Sequence, residues 1–208
     1  MRVPRGKGFD MEIRALLEAI DGIVLLIDWN LRISAVGRKN WDRFWVENGG
    51  AEGGYAVAGH DVTLSFSQGT VRDTYRKLFT EVLDKKRRAI RLDYRCDAPA
   101  TRRKMRLSVT PVATSAGPTH LLYQSILLSS EQRPPIPLFA ARTGEENEPE
   151  AVKICAICAR VEWPDDRSSG ALTWIEPHEY YRRGGSDVTV ISHGFCQPCY
   201  ERMMAEDM

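Results

Sequence analysis

Two short cysteine knuckles near the carboxyl end constrain this chain more than any other feature. They are Cys155-Ala156-Ile157-Cys158 and Cys196-Gln197-Pro198-Cys199, separated by 37 residues. A Cys-x-x-Cys turn sets two sulfurs on one side of a tight loop, and two such loops facing each other complete a tetrahedron. Thiolates suit zinc, and a closed shell of four sulfurs leaves no position for a substrate, so the pattern predicts a structural Zn2+ site. The separation exceeds the roughly 15–20 residues of a compact ribbon, which predicts a hairpin or helix between the knuckles. A redox Cys-x-x-Cys usually occurs singly beside a βαβ pattern; here there are two and no such pattern. The fifth cysteine, Cys96, stands alone. His193, three residues before Cys196, is read as supporting the knuckle by a hydrogen bond, the alternative being that it replaces one sulfur. His178 reads as a surface or supporting residue.

The chain has 208 residues, enough for one full domain plus something small. With 43% hydrophobic and 27% charged residues it reads as globular rather than disordered. Its net charge of +1 argues against a wholesale polyanion binder. The charge is unevenly placed: residues 1–130 carry 21 Lys+Arg against 14 Asp+Glu, residues 131–150 carry 2 against 5, and residues 151–208 carry 6 against 9. A basic front and an acidic back suggest units with different surfaces. The apolar run Ile23 to Ile27 is far short of the roughly 20 residues of a bilayer span, and the opening MRVPRGKGFD lacks the apolar core of a secretory signal. The expectation is a cytoplasmic protein without membrane contact, in which disulfide pairing is not the default.

Hydrophobic periodicity predicts the elements. Residues 11–21 read as an amphipathic helix with Ile13, Leu16, Leu17 and Ile20 on one face, ended by Gly22. GIVLLIDWNLRISAV reads as strand, turn at Asp28-Trp29-Asn30, strand. Trp41, Phe44 and Trp45 follow at helical spacing, and the glycine pairs Gly49-Gly50 and Gly53-Gly54 mark a loop. Residues 59–66 read as one helical turn. A longer helix starts at Thr70 with Asp73 at the capping-box position and ends near residues 85–88; Val71, Tyr75, Leu78 and Val82 form its buried stripe, with Phe79 beside them. Three strands close the region, two of them alternating with one wet face (Ile90, Leu92, Tyr94 and Cys96; Met105, Leu107 and Val109) and a more apolar one over 119–129. The predicted fold class is α+β: a five-stranded antiparallel sheet with helices on one face, followed by a small zinc-stabilised module. The expected units are a domain over 1–130, a proline- and glutamate-rich linker over 131–151 in which Leu138 and Phe139 are candidates to pin against a neighbour, and the four-cysteine module over 152–208.

Residues 11–129 resemble the PAS domain family in element order and local texture. The resemblance rests on LLEAIDGIVLLIDWNLRI, NWDRFW, a short segment led by Gly59, the long 70–86 helix and three closing strands; LDYRCDAPATRRKMRLSVTP resembles a bacterial subgroup of PAS-like sensory domains. The tail, KICAICARV…EPHEYY…SHGFCQPCYERM, resembles a small cysteine-rich module at the end of some bacterial signalling proteins, opened by Cys-x-x-Cys and closed by Ser-His-Gly-x-Cys-x-x-Cys, here Ser192, His193, Gly194, Cys196 and Cys199. The resemblance implies a sensory domain and a zinc-binding accessory module.

These readings set the functional expectations. Phosphate-cradling glycine loops, H-E-x-x-H and G-x-S-x-G are absent from the sequence, so the chain is expected to be no enzyme: a sensory or adaptor protein of bacterial signal transduction that docks a protein partner. If the PAS-like interior holds a ligand, Trp45, Tyr75, Phe79, Leu92 and Tyr94 would line its pocket; otherwise they pack on one another. A flavin site is disfavoured because residues 59–69 lack cysteine, and haem because residues 70–86 lack histidine, leaving only His60 nearby. Homodimerisation is expected through Ile13, Leu16, Leu17 and Ile20. Two alternatives stand beside this reading. One is a nucleic-acid-associated regulator using the basic loops 85–88 and 102–106; the other is a thiol redox protein.

Overall fold

A computed structural model describes residues 7–47, 57–115, 117–144, 151–165, 172–187 and 190–205. The glycine-pair loop expected over 49–54 lies outside them.

The first sheet is built as its alternation predicts. Helix α1 (Lys7–Ala19) leads into β1 (Ile23–Asp28) and β2 (Ile33–Val36), then α2 (Arg38–Glu47). The β1–β2 turn closes because the Asp28 carboxylate accepts the Asn30 and Arg32 amides at 2.9 and 2.8 Å, letting Leu31 take φ +60. A 3-10 turn (Val62–Ser65) follows, fixed by the Asp61 carboxylate accepting the Thr63 amide at 2.8 Å. Then come α3 (Thr70–Leu83), β3 (Ile90–Arg95), β4 (Thr101–Thr114) and β5 (Gly117–Gln132). The strands pair antiparallel in the order β2-β1-β5-β4-β3. The buried stripe of α3 is the predicted one, extended by Thr74 and Leu83, and it packs with Leu25, Ile27, Leu92, Leu107, Val109 and Leu121 from the sheet.

Three local expectations differ from the structure. The N-cap of α3 is Gly69, at φ +74, and no side chain caps the helix, so the Thr70–Asp73 capping box does not form. The helix stops at Leu83, three residues early, where Lys85 turns to φ +61. Strands β4 and β5 run longer than their apolar cores, because each supplies the other's hydrogen bonds from Thr101↔Gln132 to Thr114↔Gly117 whether or not the side chains are apolar.

The second sheet holds the tail. Its strands are β6 (Arg142–Thr143), β7 (Val152–Cys155), β8 (Val161–Pro164), β9 (Leu172–Ile175) and β10 (Val190–Gly194), with α4 (Pro177–Arg182) before β10 and α5 (Gln197–Ala205) after it. The order is β6-β10-β7-β8-β9. Strand β10 lies parallel to both β6 and β7, whereas β7, β8 and β9 pair antiparallel. Within the 131–151 stretch a 3-10 turn (Pro137–Ala140) buries Leu138 completely beside Ile154, Val161, Ile175 and Tyr180, and the Leu138 amide donates to the Tyr181 hydroxyl at 2.9 Å. No described helix is long and apolar enough to cross a membrane.

Gly22 marks where α1 hands over to the sheet. It sits at φ +84, and a Cβ there would meet the Ser125 carbonyl oxygen at 2.3 Å. Gly59, at φ +85, faces open space. Gly22→Ala is therefore expected to cost about 2–4 kcal/mol, combining a left-handed backbone penalty with overpacking. Gly59→Ala should cost only the backbone part, about 1–2 kcal/mol. Urea unfolding of the two variants measures the difference, and equal losses would contradict it.

Candidate metal centre and its attachment to the sheet

Parallel pairing explains the long spacing between the knuckles. Strands β7 and β10 run side by side with Ile154 opposite His193 and Cys155 opposite Gly194. Their carboxyl ends therefore emerge together, each leading into a Cys-x-x-Cys turn. Two parallel neighbours cannot be joined by a tight hairpin and need a crossover; here it consists of β8, β9 and α4. The first knuckle closes with the Ala159 amide on the Cys155 carbonyl at 2.9 Å and the Cys155 amide on the Arg160 carbonyl at 2.8 Å, with Ala159 at φ +58. The second runs into α5, whose first turn places the Cys199 and Tyr200 amides on the Cys196 carbonyl at 3.0 Å each. The Ala156 amide donates to the Gly194 carbonyl at 2.9 Å and ties the two loops together.

The four sulfurs converge. All four Sγ atoms lie within 4.8 Å of one another, and Cys158 Sγ is 3.7 Å from Cys196 Sγ. Zinc–sulfur bonds of about 2.3 Å in a tetrahedron put neighbouring sulfurs about 3.8 Å apart, so the separation fits a shared cation. Cys155, Cys196 and Cys199 are buried and Cys158 is half-buried. The charges of this cluster also call for a cation. A hydrogen bond from the Cys158 thiol, assisted by the Cys158, Cys196 and Ile157 amides, pulls the Cys155 thiol down to about 5 against the effect of burial. The same contact and burial push Cys158 up, and burial followed by the Cys155 charge pushes Cys199 to about 12. The Cys155 thiolate thus suppresses Cys158 and Cys199, and a divalent cation at the centre would reverse this. Four thiolates around it carry a net −2, for which the nearby cations are suited: Arg202 Nη2 is 3.9 Å from Cys199 Sγ, and Arg160 feels the Cys158 and Cys196 sulfurs after its main partner, Glu176.

His193 is placed differently from expectation. It is outside the sulfur cluster, and its Nδ1 bonds the Ser67 hydroxyl at 2.8 Å, just ahead of α3. It therefore joins the module to the first sheet's helical layer rather than bracing its own knuckle. Burial lowers its pKa and favours the neutral ring. His178 lies exposed on α4.

The module is held against the open edge of β3. The Arg95 amide, on the side of β3 away from β4, donates to the Ile157 carbonyl at 2.8 Å. The Arg95 guanidinium bonds the Cys158 carbonyl at 3.1 Å and Glu176 at 3.0 Å, and pairs closely with Asp97. The Asp97 carboxylate is fully buried, and it also receives Arg133 at 2.9 Å and the Arg103 amide at 3.1 Å. Glu176 binds Arg160 at 3.1 Å; burial raises its pKa, but the bonds and charges of Arg160 and Arg95 outweigh that and hold it below the ordinary value. On the helical side Arg87, 7% exposed, donates to the Met204 carbonyl at 3.1 Å and pairs with Glu81 at 3.3 Å. Cys155, Ile157, Cys196, Cys199 and Met203 belong to the same apolar core as Tyr75, Phe79 and Leu92. The Tyr94–Pro99 stretch singled out by its texture is therefore the joint between the two sheets. Arg87 and Arg133, which complete it, carry no sequence signal that separates them from other surface arginines.

The remaining candidate residues fall as follows. Tyr75, Phe79, Leu92 and Tyr94 meet in one core, with Tyr75 stacked on Phe66 at 4.0 Å and 6.0 Å from Phe79, and the Tyr94 hydroxyl 2.7 Å from that of Ser125. Trp45 is half-buried on α2; a cleft of about 270 Å³ opens beside the preceding Phe44, over Met105 and Ser125. Leu17 is buried in its own chain, Ile13 and Ile20 are half-buried, and Leu16 is 62% exposed. His60 lies exposed in the turn before the 3-10 segment. In the 85–88 loop Arg87 is buried and Lys86 pairs with Asp84 at 2.9 Å, whereas in 102–106 Lys104 and Arg106 share Asp93 at 3.1 and 2.6 Å.

Removing the Asp97 charge while keeping its shape leaves Arg95 and Arg133 facing each other in a dry site. Asp97→Asn is expected to destabilise the chain by about 3–5 kcal/mol, measured by chemical unfolding. A loss under about 1 kcal/mol, typical of a solvated surface pair, would contradict the placement.

No protein-family model matches the chain, and no curated protein matches it either. Among solved structures, the crystal structure of a sensory box sensor histidine kinase from Vibrio cholerae aligns with 59% of this chain and 94% of its own, at 12% identity and a TM-score of 0.38.

Proposed function

We propose that this protein is a non-enzymatic sensory or adaptor component of signal transduction, with a PAS-like α+β domain carrying a zinc-bound docking module. The observation that carries the reading is the convergence of four cysteine sulfurs in a module fastened to the edge of the sheet. Zinc is favoured over other cations by the donor set: four thiolates, tetrahedral spacing and a mostly buried shell. The shell offers no open position, so its role is to hold shape. A tail of under 60 residues has too small a core to fold alone and gains its rigidity from the metal. The attachment gives the module a means of responding to the sheet domain. A signal received there, as a ligand or as a partner on its helices, would act on the Ser67–His193 and Arg87–Met204 contacts around α3 and so reach the module's docking face.

The expected outcome for the purified protein is one zinc per chain. Chelation is expected to abolish amide exchange protection across 151–165 and 190–205 and at Arg95, while β4 and β5 keep theirs. Hydrogen exchange with and without chelator tests this. Unchanged protection in the tail would overturn the metal's structural role, and loss throughout the chain would overturn the separate stability of the first sheet.

A further inference from the structure

A cleft of about 630 Å³ opens at the joint itself, larger than the 270 Å³ cleft beside Phe44 and within the roughly 300–1,000 Å³ of small-molecule sites. Three parts of the chain wall it: the start of β4 and the end of β5, the 133–137 linker, and the module from Glu176 to Asp187. Its apolar lining is Pro134, Pro135, Ile136 and Pro137 on the linker and Pro177 and Tyr181 on α4. The linker wall is fixed in advance, because the Arg133 amide donates to the Ala100 carbonyl and the Ile136 amide to the Pro99 carbonyl, each at 3.0 Å. The charges of the lining cancel: Arg95, Arg102 and Arg133 stand with Glu131, Glu176 and Asp187, His178 being counted neutral. Behind them Asp97 binds Arg95 and Arg133, and Arg160 binds Glu176. Cys158, and with it the negative sulfur shell, lines the neighbouring groove instead. The lining thus offers no net pull on an ion of either sign.

Two side chains of the lining give a ligand direction. Arg102 and Glu131 stand directly opposite each other on β4 and β5, where such partners share one face with Cβ atoms about 5 Å apart. Both are exposed, and neither has a hydrogen-bond or ion-pair partner among the described residues. A donor and an acceptor side by side match a ring edge that bears a carbonyl beside an N–H. Proline and tyrosine rings pack well on aromatic faces. We propose that this cleft binds a flat, uncharged heterocycle of that kind, its carbonyl accepting from Arg102 and its N–H donating to Glu131, and that the bound molecule clamps the module to the sheet. The clamp follows from linkage: both units wall the cleft, so it exists only while the module is docked, and a ligand filling it stabilises that arrangement. The proposal rests on the sensory reading above and deepens it by placing the entry of the signal at the joint.

The test uses the full chain, with zinc content and amide protection of the tail measured first; absence of both would overturn the docking-module reading rather than the cleft. Quinolin-2-one, a flat uncharged lactam, is then titrated and followed by amide chemical shifts. Three analogues run in parallel: N-methylquinolin-2-one, which lacks the N–H, the anion quinoline-2-carboxylate and the cation N-methylquinolinium. The lactam is expected to shift the amides of Arg102, Glu131, Ile136 and Tyr181, and the N-methyl analogue to bind about tenfold more weakly. A variant carrying R102A and E131A, both exposed positions, should lose about the same factor while keeping its zinc and its far-UV spectrum. With the lactam at ten times its Kd, exchange of the Arg95 amide, which bonds the Ile157 carbonyl across the joint, should slow about tenfold. No binding, shifts confined to other residues, tighter binding of either ion, or equal affinity for the N-methyl analogue would overturn the site. Binding that leaves the Arg95 amide unchanged would overturn the clamp.

Discussion

Four sulfurs packed within a few ångströms of one another cannot all carry charge without a cation among them. In this chain that constraint governs most of the second half. The Cys155 thiolate suppresses Cys158 and Cys199 as long as the cluster stands alone, and a divalent ion held by the four sulfurs would relieve that suppression. The parallel pairing of β7 with β10, the crossover through β8, β9 and α4, and the left-handed turn at Ala159 all serve to bring two knuckles to the same end of a small sheet. Arg202 and Arg160 stand where they would offset the negative charge of such a shell.

The second consequence concerns how two modest units become one body. Edge strands expose unpaired backbone groups and must be covered. Here the Ile157 carbonyl, at the apex of the first knuckle, caps the Arg95 amide of edge strand β3. The buried Asp97 gathers Arg95 and Arg133, and Glu176 completes the network from the module side. Such a network adds little net stability compared with apolar packing, but it punishes any other arrangement, because a displaced partner leaves a buried charge alone. The joint therefore specifies one orientation of module and sheet.

Sequence and structure can be compared at particular residues. The alternation of Ile90, Leu92 and Tyr94 and the stripe Val71, Tyr75, Leu78 and Val82 were legible because burial imposes period two on strands and near 3.6 on helices. The knuckles were legible because a Cys-x-x-Cys turn sets two sulfurs on one side of a tight loop, and the four sulfurs do converge. The turn from His193 toward Ser67 was not, since 126 residues separate the two. The same holds for Arg87, which reads as one of four consecutive cations yet is buried against the Met204 carbonyl. Long-range polar partners leave no periodic trace in a sequence. The capping box at Thr70 failed for a local reason: Gly69 takes the N-cap position one residue earlier, with no side chain to offer.

X-ray absorption at the zinc K-edge of the purified chain tests the central claim most directly. The account predicts a single shell of four sulfurs at about 2.3 Å. A shell containing nitrogen or oxygen, or a chain whose knuckle cysteines are joined as disulfides with no metal, would contradict it.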